Sequence, residues 1–247
     1  MHAAKFRLLL LSCLFSLSLS AQAEVSLPNI FGDHMVFQRR QTNPVWGKAD
    51  PGEQVTVTID SQSHITTASK DGQWRVKLSP MEAGGPYKLL VKGNRNTVQY
   101  SDILIGEVWV CSGQSNMEWS VAQSEHAELE IASANYPEIR LISVPRVGTQ
   151  IPQDDFKGTW SACSPQTVAD FSAVGYLFGQ RLHNTLGVPI GLIDNAWGGS
   201  AVEAWVPRDV LEAEGKYDEL LQSWDERAAA VTDEVFTAKV KEYKDWV

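Results

Sequence analysis

Gly113-Gln114-Ser115-Asn116-Met117 places a serine in a glycine-flanked turn directly after the apolar run Ile103–Val110. Such a run reads as a buried strand of a parallel sheet, and in open α/β sheets the reactive groups gather beyond the carboxyl ends of the strands. Ser115 is therefore well placed as a nucleophile for acyl transfer, although Gly-Gln-Ser-Asn is equally good chemistry for a plain turn. A second glycine-rich turn, Asn195-Ala196-Trp197-Gly198-Gly199-Ser200, follows the apolar run Pro189–Asp194 and reaches the same edge. Adjacent glycines let backbone amides approach a ligand, as an oxyanion site requires, or simply let the chain turn from strand to helix. Gly175 sits inside a helical stripe, where glycine costs about 1 kcal/mol relative to alanine. It marks either close packing or the approach of a ligand.

The elements that must hold these residues change character along the chain. From Glu24 to about Tyr100, Val55–Ile59 alternates, Lys70-Asp71-Gly72 turns into Trp74–Leu78, and Gly93–Asn96 separates Tyr87–Lys92 from Thr97–Ser101. Period-two strands at this spacing predict a small all-β sandwich over residues 24–100. Beyond it, the apolar runs Ile103–Val110, Ile139–Val144 and Pro189–Asp194 alternate with helical patterns. One is the stripe Phe171, Val174, Phe178, Leu182 and Leu186, with Asp170 placed to cap it and Gly187 to end it. Val206–Glu214 and Tyr217–Trp246 also read as helical. The pattern predicts an α/β domain over residues 101–247, a parallel sheet flanked by helices.

The composition narrows the function. With 247 residues, 43% hydrophobic and 21% charged, the chain is an ordinary globular protein, and a net charge of -9 argues against a nucleic-acid partner. Residues 1–23 read as a secretory signal: Lys5 and Arg7, the apolar stretch Leu8–Ser20, then the cleavage site Ala21-Gln22-Ala23. A secreted or periplasmic protein with no membrane partner after cleavage is expected. Cys111 and Cys163 could pair in such a compartment, but a buried free thiol is the expected state at the end of an apolar strand. No cluster has metal-ligand spacing, so neither a metal nor a cofactor is expected. Trp46 and Trp74 are expected in the sandwich core, the alternative being a surface that stacks on a glycan.

Three ordered motifs then carry a family resemblance. Val108-Trp109-Val110-Cys111-Ser112-Gly113-Gln114-Ser115-Asn116-Met117-Glu118-Trp119, Phe171-Ser172-Ala173-Val174-Gly175-Tyr176, and Pro189–Ile193 with Trp197-Gly198-Gly199-Ser200 and Glu203-Ala204-Trp205 resemble sialate O-acetylesterases of the SGNH-hydrolase superfamily. Phe31-Gly32-Asp33-His34-Met35-Val36-Phe37-Gln38-Arg39 is similar to the β-domain preceding the catalytic domain in bacterial members, so the resemblance runs from about Leu27 to Pro207. It implies that Ser115 attacks an acetyl ester and that its own amide helps hold the oxyanion. A second amide would come from Ala173–Gly175, with Gly175 favoured. Gln114, Asn116, Trp197, Gly198 and Gly199 would line the sugar.

The family supplies its base from an Asp-x-x-His or Asp-x-His motif, and none of the five histidines here lies in one. A Trp-Tyr-Gln-Gly-Glu motif is also absent. The expectation is an esterase domain truncated at its C-terminus, marginally stable and inactive alone. Its substrate would be O-acetylated sialic acid, the alternatives being acetylated xylan or another polysaccharide, or a non-catalytic role in glycan binding. A sialate carboxylate calls for an arginine partner, for which Arg40, Arg140, Arg146 and Arg208 are the candidates.

Overall fold

A computed structural model describes residues 24–149 and 151–246, and the expected secretory signal lies outside them. The order is β1 (Val36–Gln38), β2 (Asn43–Lys48), β3 (Gln54–Ile59), β4 (Gln62–Thr67), β5 (Gln73–Leu78), β6 (Gly84–Lys92), β7 (Thr97–Gly113), α1 (Ser115–Glu118), α2 (Ala127–Ser133), β8 (Tyr136–Ser143), β9 (Ser161–Cys163), α3 (Ala173–Leu186), β10 (Ile190–Ala196), α4 (Arg208–Glu214), α5 (Asp218–Ala230) and α6 (Asp233–Trp246). Alternation makes the early strands one-sided. Val55, Val57 and Ile59 of β3 point inward with Trp74, Val76 and Leu78 of β5, while Gln73, Arg75 and Lys77 face solvent. Each such side chain contributes about 1.5–3 kcal/mol on burial, so this alternation fixes the register.

The pair β2–β5 shares a core with β3, β6 and the first half of β7. Trp74 is buried there, and Trp46 packs edge-on against Phe31 at 4.7 Å, with Arg75 over its other side. Trp74 takes the core role expected of it, and Trp46 is partly buried against the same core. The boundary expected at residue 100 is not a break in the sheet. β7 crosses it as one seventeen-residue strand, pairing antiparallel with β6 and then parallel with β1 and β10. The result is one mixed sheet ordered β4-β3-β6-β7-β10-β8-β9, with β1 beside β7 and helices on the parallel part. The parallel strands fall on the three apolar runs, most of whose side chains are buried, while Trp109 and Val110 of β7 are exposed.

Helix α3 departs from its expected design. It begins at Ala173, so the cap is Ser172, whose hydroxyl accepts the Gly175 N–H at 3.1 Å, and not Asp170. Gly187 ends it in the left-handed conformation, as expected. The buried face carries Ala173, Gly175, Tyr176 and Gly179, whereas Val174, Phe178 and Leu186 are exposed. Closeness to the sheet explains the reversal: a β-carbon on Gly179 would stand 2.6 Å from Leu192 and one on Gly175 2.8 Å from Cys111 Sγ. Only small residues let the helix lie that near. The long pattern after Tyr217 divides into α5 and α6 at Val231-Thr232, and neither helix buries a residue.

Cys111 and Cys163 are both free and buried, and burial pushes their thiols up to about 11 and about 12. The Asp155 carboxylate accepts both the backbone and side-chain N–H groups of Asn29.

Candidate active site

Parallel strands deliver their carboxyl ends to one edge, and two of the motifs meet there. β7 ends at Gly113, whose φ of +149° is a conformation that side chains with a β-carbon rarely adopt, and the chain turns at once into α1. Ser115 is the first residue of that helix and is exposed. First-turn amides lack intrahelical acceptors, so the Ser115 N–H belongs to the set available to an anion. The Ser115 hydroxyl donates to Gln114 Oε1 at 3.3 Å, and Asn116 is exposed beside it.

The glycine turn after β10 lies against this serine. β10 runs in register with β7 as far as Ala196↔Gly113, and the Trp197 N–H then donates to the Gly113 carbonyl at 2.9 Å. A β-carbon on Gly198 would lie 3.7 Å from Ser115 Cα, in ordinary van der Waals contact, but would run into the Glu118 carboxylate, so it is Glu118 that calls for glycine here. Gly199 is exposed with φ +74°, and the half-exposed Trp197 ring lies over Gly148. The third motif is attached from the other side. Ala173 N–H donates to the Trp119 carbonyl, Ser120 bridges Ser172, and the Ser172 hydroxyl reaches Met117 Sδ at 3.4 Å. Gly175 belongs to this motif but is buried, and its amide is committed to Ser172. Close packing against Cys111 accounts for it. The Gly175 amide, favoured as the second oxyanion donor, is thus engaged by Ser172 in this conformation.

Acidic and basic groups at the same edge add what the sequence did not single out. Glu118, one turn after Ser115, accepts the Gly198 N–H through Oε2 and pairs through Oε1 with Arg146 Nη1 at 2.5 Å. Of the arginines considered, Arg146 is thus the one tied to the serine's helix. Arg40 pairs with Glu82, Arg140 with Asp102, and Arg208 with Asp225 and Glu212. The sequence signal for Glu118 was an acidic residue in the first turn of a helix opened by Ser115.

Asp194, near the end of β10, has a buried Oδ1 with no hydrogen-bond partner. Burial pushes its carboxyl up to about 6; the Arg146 guanidinium pulls it back and Glu118 pushes it further up. A raised folded-state value means that stability is full below about pH 4 and is lost as pH rises through about 6. Asp194→Asn is therefore expected to stabilise the protein by about 1 kcal/mol at pH 7.5 and not at pH 4. Urea unfolding at the two pH values checks this; an equal effect at both would remove the charge explanation.

Among the described residues, no histidine hydrogen-bonds Ser115. His34 Nδ1 contacts Asp102 Oδ2 at 2.7 Å, His64 bonds Gln62, His126 precedes α2 beside Glu125, and His183 Nδ1 meets the Val188 carbonyl at 2.8 Å. Among the described residues, no group of three or more His, Cys, Asp or Glu is placed to hold a metal ion.

Comparison with known proteins agrees with this geometry. The family profile described as carbohydrate esterase, sialic acid-specific acetylesterase matches residues 105–237. The mouse sialate O-acetylesterase is 36% identical over 74% of this chain and 38% of its own, and the human one is 35% identical over 73% and 38%. A crystal structure of a carbohydrate acetylesterase from Xanthomonas citri superposes with a TM-score of 0.74 at 40% identity, covering 76% of this chain and 44% of that one. The chain thus spans well under half the length of these relatives. By the profile match and by the strands that bring Ser115 beside Gly198, the chain belongs to the carbohydrate esterase family of sialic acid-specific acetylesterases.

Proposed function

We propose that the site removes O-acetyl groups from a carbohydrate through an acetyl-enzyme on Ser115. The Ser115 Oγ bonds to the acetyl carbon as a base takes its proton; the sugar oxygen departs and is protonated. Water then releases acetate and regenerates the hydroxyl. The observation that carries this reading is the approach of the Gly198 backbone to Ser115 at the strand edge. There the Ser115 N–H and the turn around Gly199 can face a developing oxyanion, and each such donor is worth roughly 3–4 kcal/mol.

Among acetylated sugars, sialic acid is the proposed substrate. Its support is Arg146, half-exposed and one ion pair away from the serine's helix, which offers guanidinium N–H groups to a sugar carboxylate. Acetate release should be measured with the protein in the longest form its gene encodes, on acetylated sialic acid and on acetylated xylan, with Ser115→Ala as control. Ser115-dependent release from the sialic acid is expected; equal or faster release from xylan overturns the substrate, and no Ser115-dependent release overturns the esterase reading. We also propose export to the cell exterior or periplasm, supported by residues 1–23 of the sequence. Amino-terminal sequencing of the exported protein should begin at Glu24.

A further inference from the structure

We infer that Glu118 is a positioning residue, whose two carboxylate oxygens hold the Gly198–Gly199 turn and Arg146 in place around Ser115. Glu118 lies on the same short helix as Ser115, so whatever it grips is held relative to the nucleophile's own backbone. Oε2 accepts the Gly198 N–H, and Oε1 receives Arg146 from the segment that follows β8. The side chain is about three-quarters buried, where a charge-assisted hydrogen bond is stronger than in open water.

The placement of the turn depends on this grip. Trp197 N–H on the Gly113 carbonyl fixes where the turn begins, and the Ser200 N–H and hydroxyl close it back onto the Trp197 carbonyl. Between these two points, the Gly198 bond to Glu118 is the contact that joins the turn to α1. A β-carbon on Gly198 would run into the Glu118 carboxylate, so absence of a side chain at 198 and presence of a carboxylate at 118 are two halves of one device. Arg146 carries the same device outward. Held by Oε1, the half-exposed Arg146 lies in the same segment as Gly148, over which the Trp197 ring lies. The charges facing Glu118 are therefore Arg146 from the segment after β8 and Asp194 from β10. Arg146 on Oε1 leaves Oε2 turned toward the Gly198 N–H.

The inference rests on the reading of Ser115 as nucleophile only for what the turn is held against, so the first readout does not involve chemistry. In the 247-residue chain, the Gly198 amide should give a downfield proton resonance and slow exchange with solvent. Glu118→Ala should move it upfield and speed its exchange at least tenfold, with core amides such as those of Leu192 and Ile139 unchanged. Glu118→Gln keeps an acceptor for Gly198 and loses the Arg146 pair, so it should restore most of the protection. A Gly198 amide indifferent to both substitutions overturns the inference.

The second readout is kinetic, in the longest form that the gene encodes. Glu118→Ala should lower kcat about 10²-fold on p-nitrophenyl acetate, with KM within a few-fold and partial rescue by Glu118→Gln. A change confined to KM would overturn a positioning role. Were that form to lack Ser115-dependent turnover altogether, the esterase reading would fail, and the amide readout alone would decide the role of Glu118.

Discussion

Assayed alone on p-nitrophenyl acetate, the 247-residue chain is expected to turn over no faster than its own Ser115→Ala variant. A serine hydroxyl attacks an ester only as a base removes its proton, and the partner of Ser115 Oγ is the neutral amide oxygen of Gln114. None of the described histidines takes that place. The two held most firmly are His34, engaged by Asp102, and His183, engaged by the Val188 carbonyl. Losing the base of a serine–histidine system costs on the order of 10⁶ in turnover, and oxyanion binding alone leaves only a small residue above water. Robust acetate release by the chain alone, abolished by Ser115→Ala, would overturn this expectation and point to a base that the hydrogen bonding does not reveal.

The largest stability effect is expected at Asp102. Arg140, 5% exposed, sends Nη1 to Asp102 Oδ2 at 2.7 Å and also reaches the carbonyls of His34 and Asp102, while its Nε donates to Pro137. Asp102→Ala strands that guanidinium among carbonyls without a counter-charge, which costs about 3 kcal/mol, the lower end for a buried pair because Asp102 is itself 37% exposed. For a chain of this size, that lowers Tm by roughly 6–12 °C. The Arg140 hydrogen bond holds the Asp102 carboxyl below the usual carboxylate range, with His34 adding to the effect against the opposing cost of burial. Stability contributed by a depressed carboxylate is present above about pH 4 and is lost as pH falls through the folded-state value. The gap between wild type and Asp102→Ala should therefore narrow below pH 4 in calorimetry. A gap independent of pH would assign the loss to the backbone, since Asp102 sits at φ +57°.

The parallel strands were legible in the sequence because burial of most of their side chains leaves apolar runs, and β7, β8 and β10 fall on the three that were read, although Trp109 and Val110 are exposed. The Ser115 turn and its glycine partner were legible for a related reason: both motifs sit where strands of that kind must end. What escaped the reading depends on distance between chain segments. The stripe of α3 looked buried by its period, yet Gly175 and Gly179 bring the helix so near Cys111 and Leu192 that the small face is the inner one. Asp170 looked like the cap because a carboxylate preceded the stripe, but Ser120 pairs with Ser172 and sets the start two residues later. Glu118 and Arg146 are 28 residues apart in sequence, and nothing local declares that they meet.

The unbroken course of β7 through residue 100 bears on how this architecture can be rearranged. A tethered module can be excised or exchanged by cutting a linker; here the only cut available passes through a hydrogen-bonded strand. Excision would strip β7 of β6 and β1 and bare Ile103, Leu104 and Ile105 to water. The β-rich half is thus less an attachment than a splint for the strand that ends at the Ser115 turn, and separating the two halves is expected to unfold that strand.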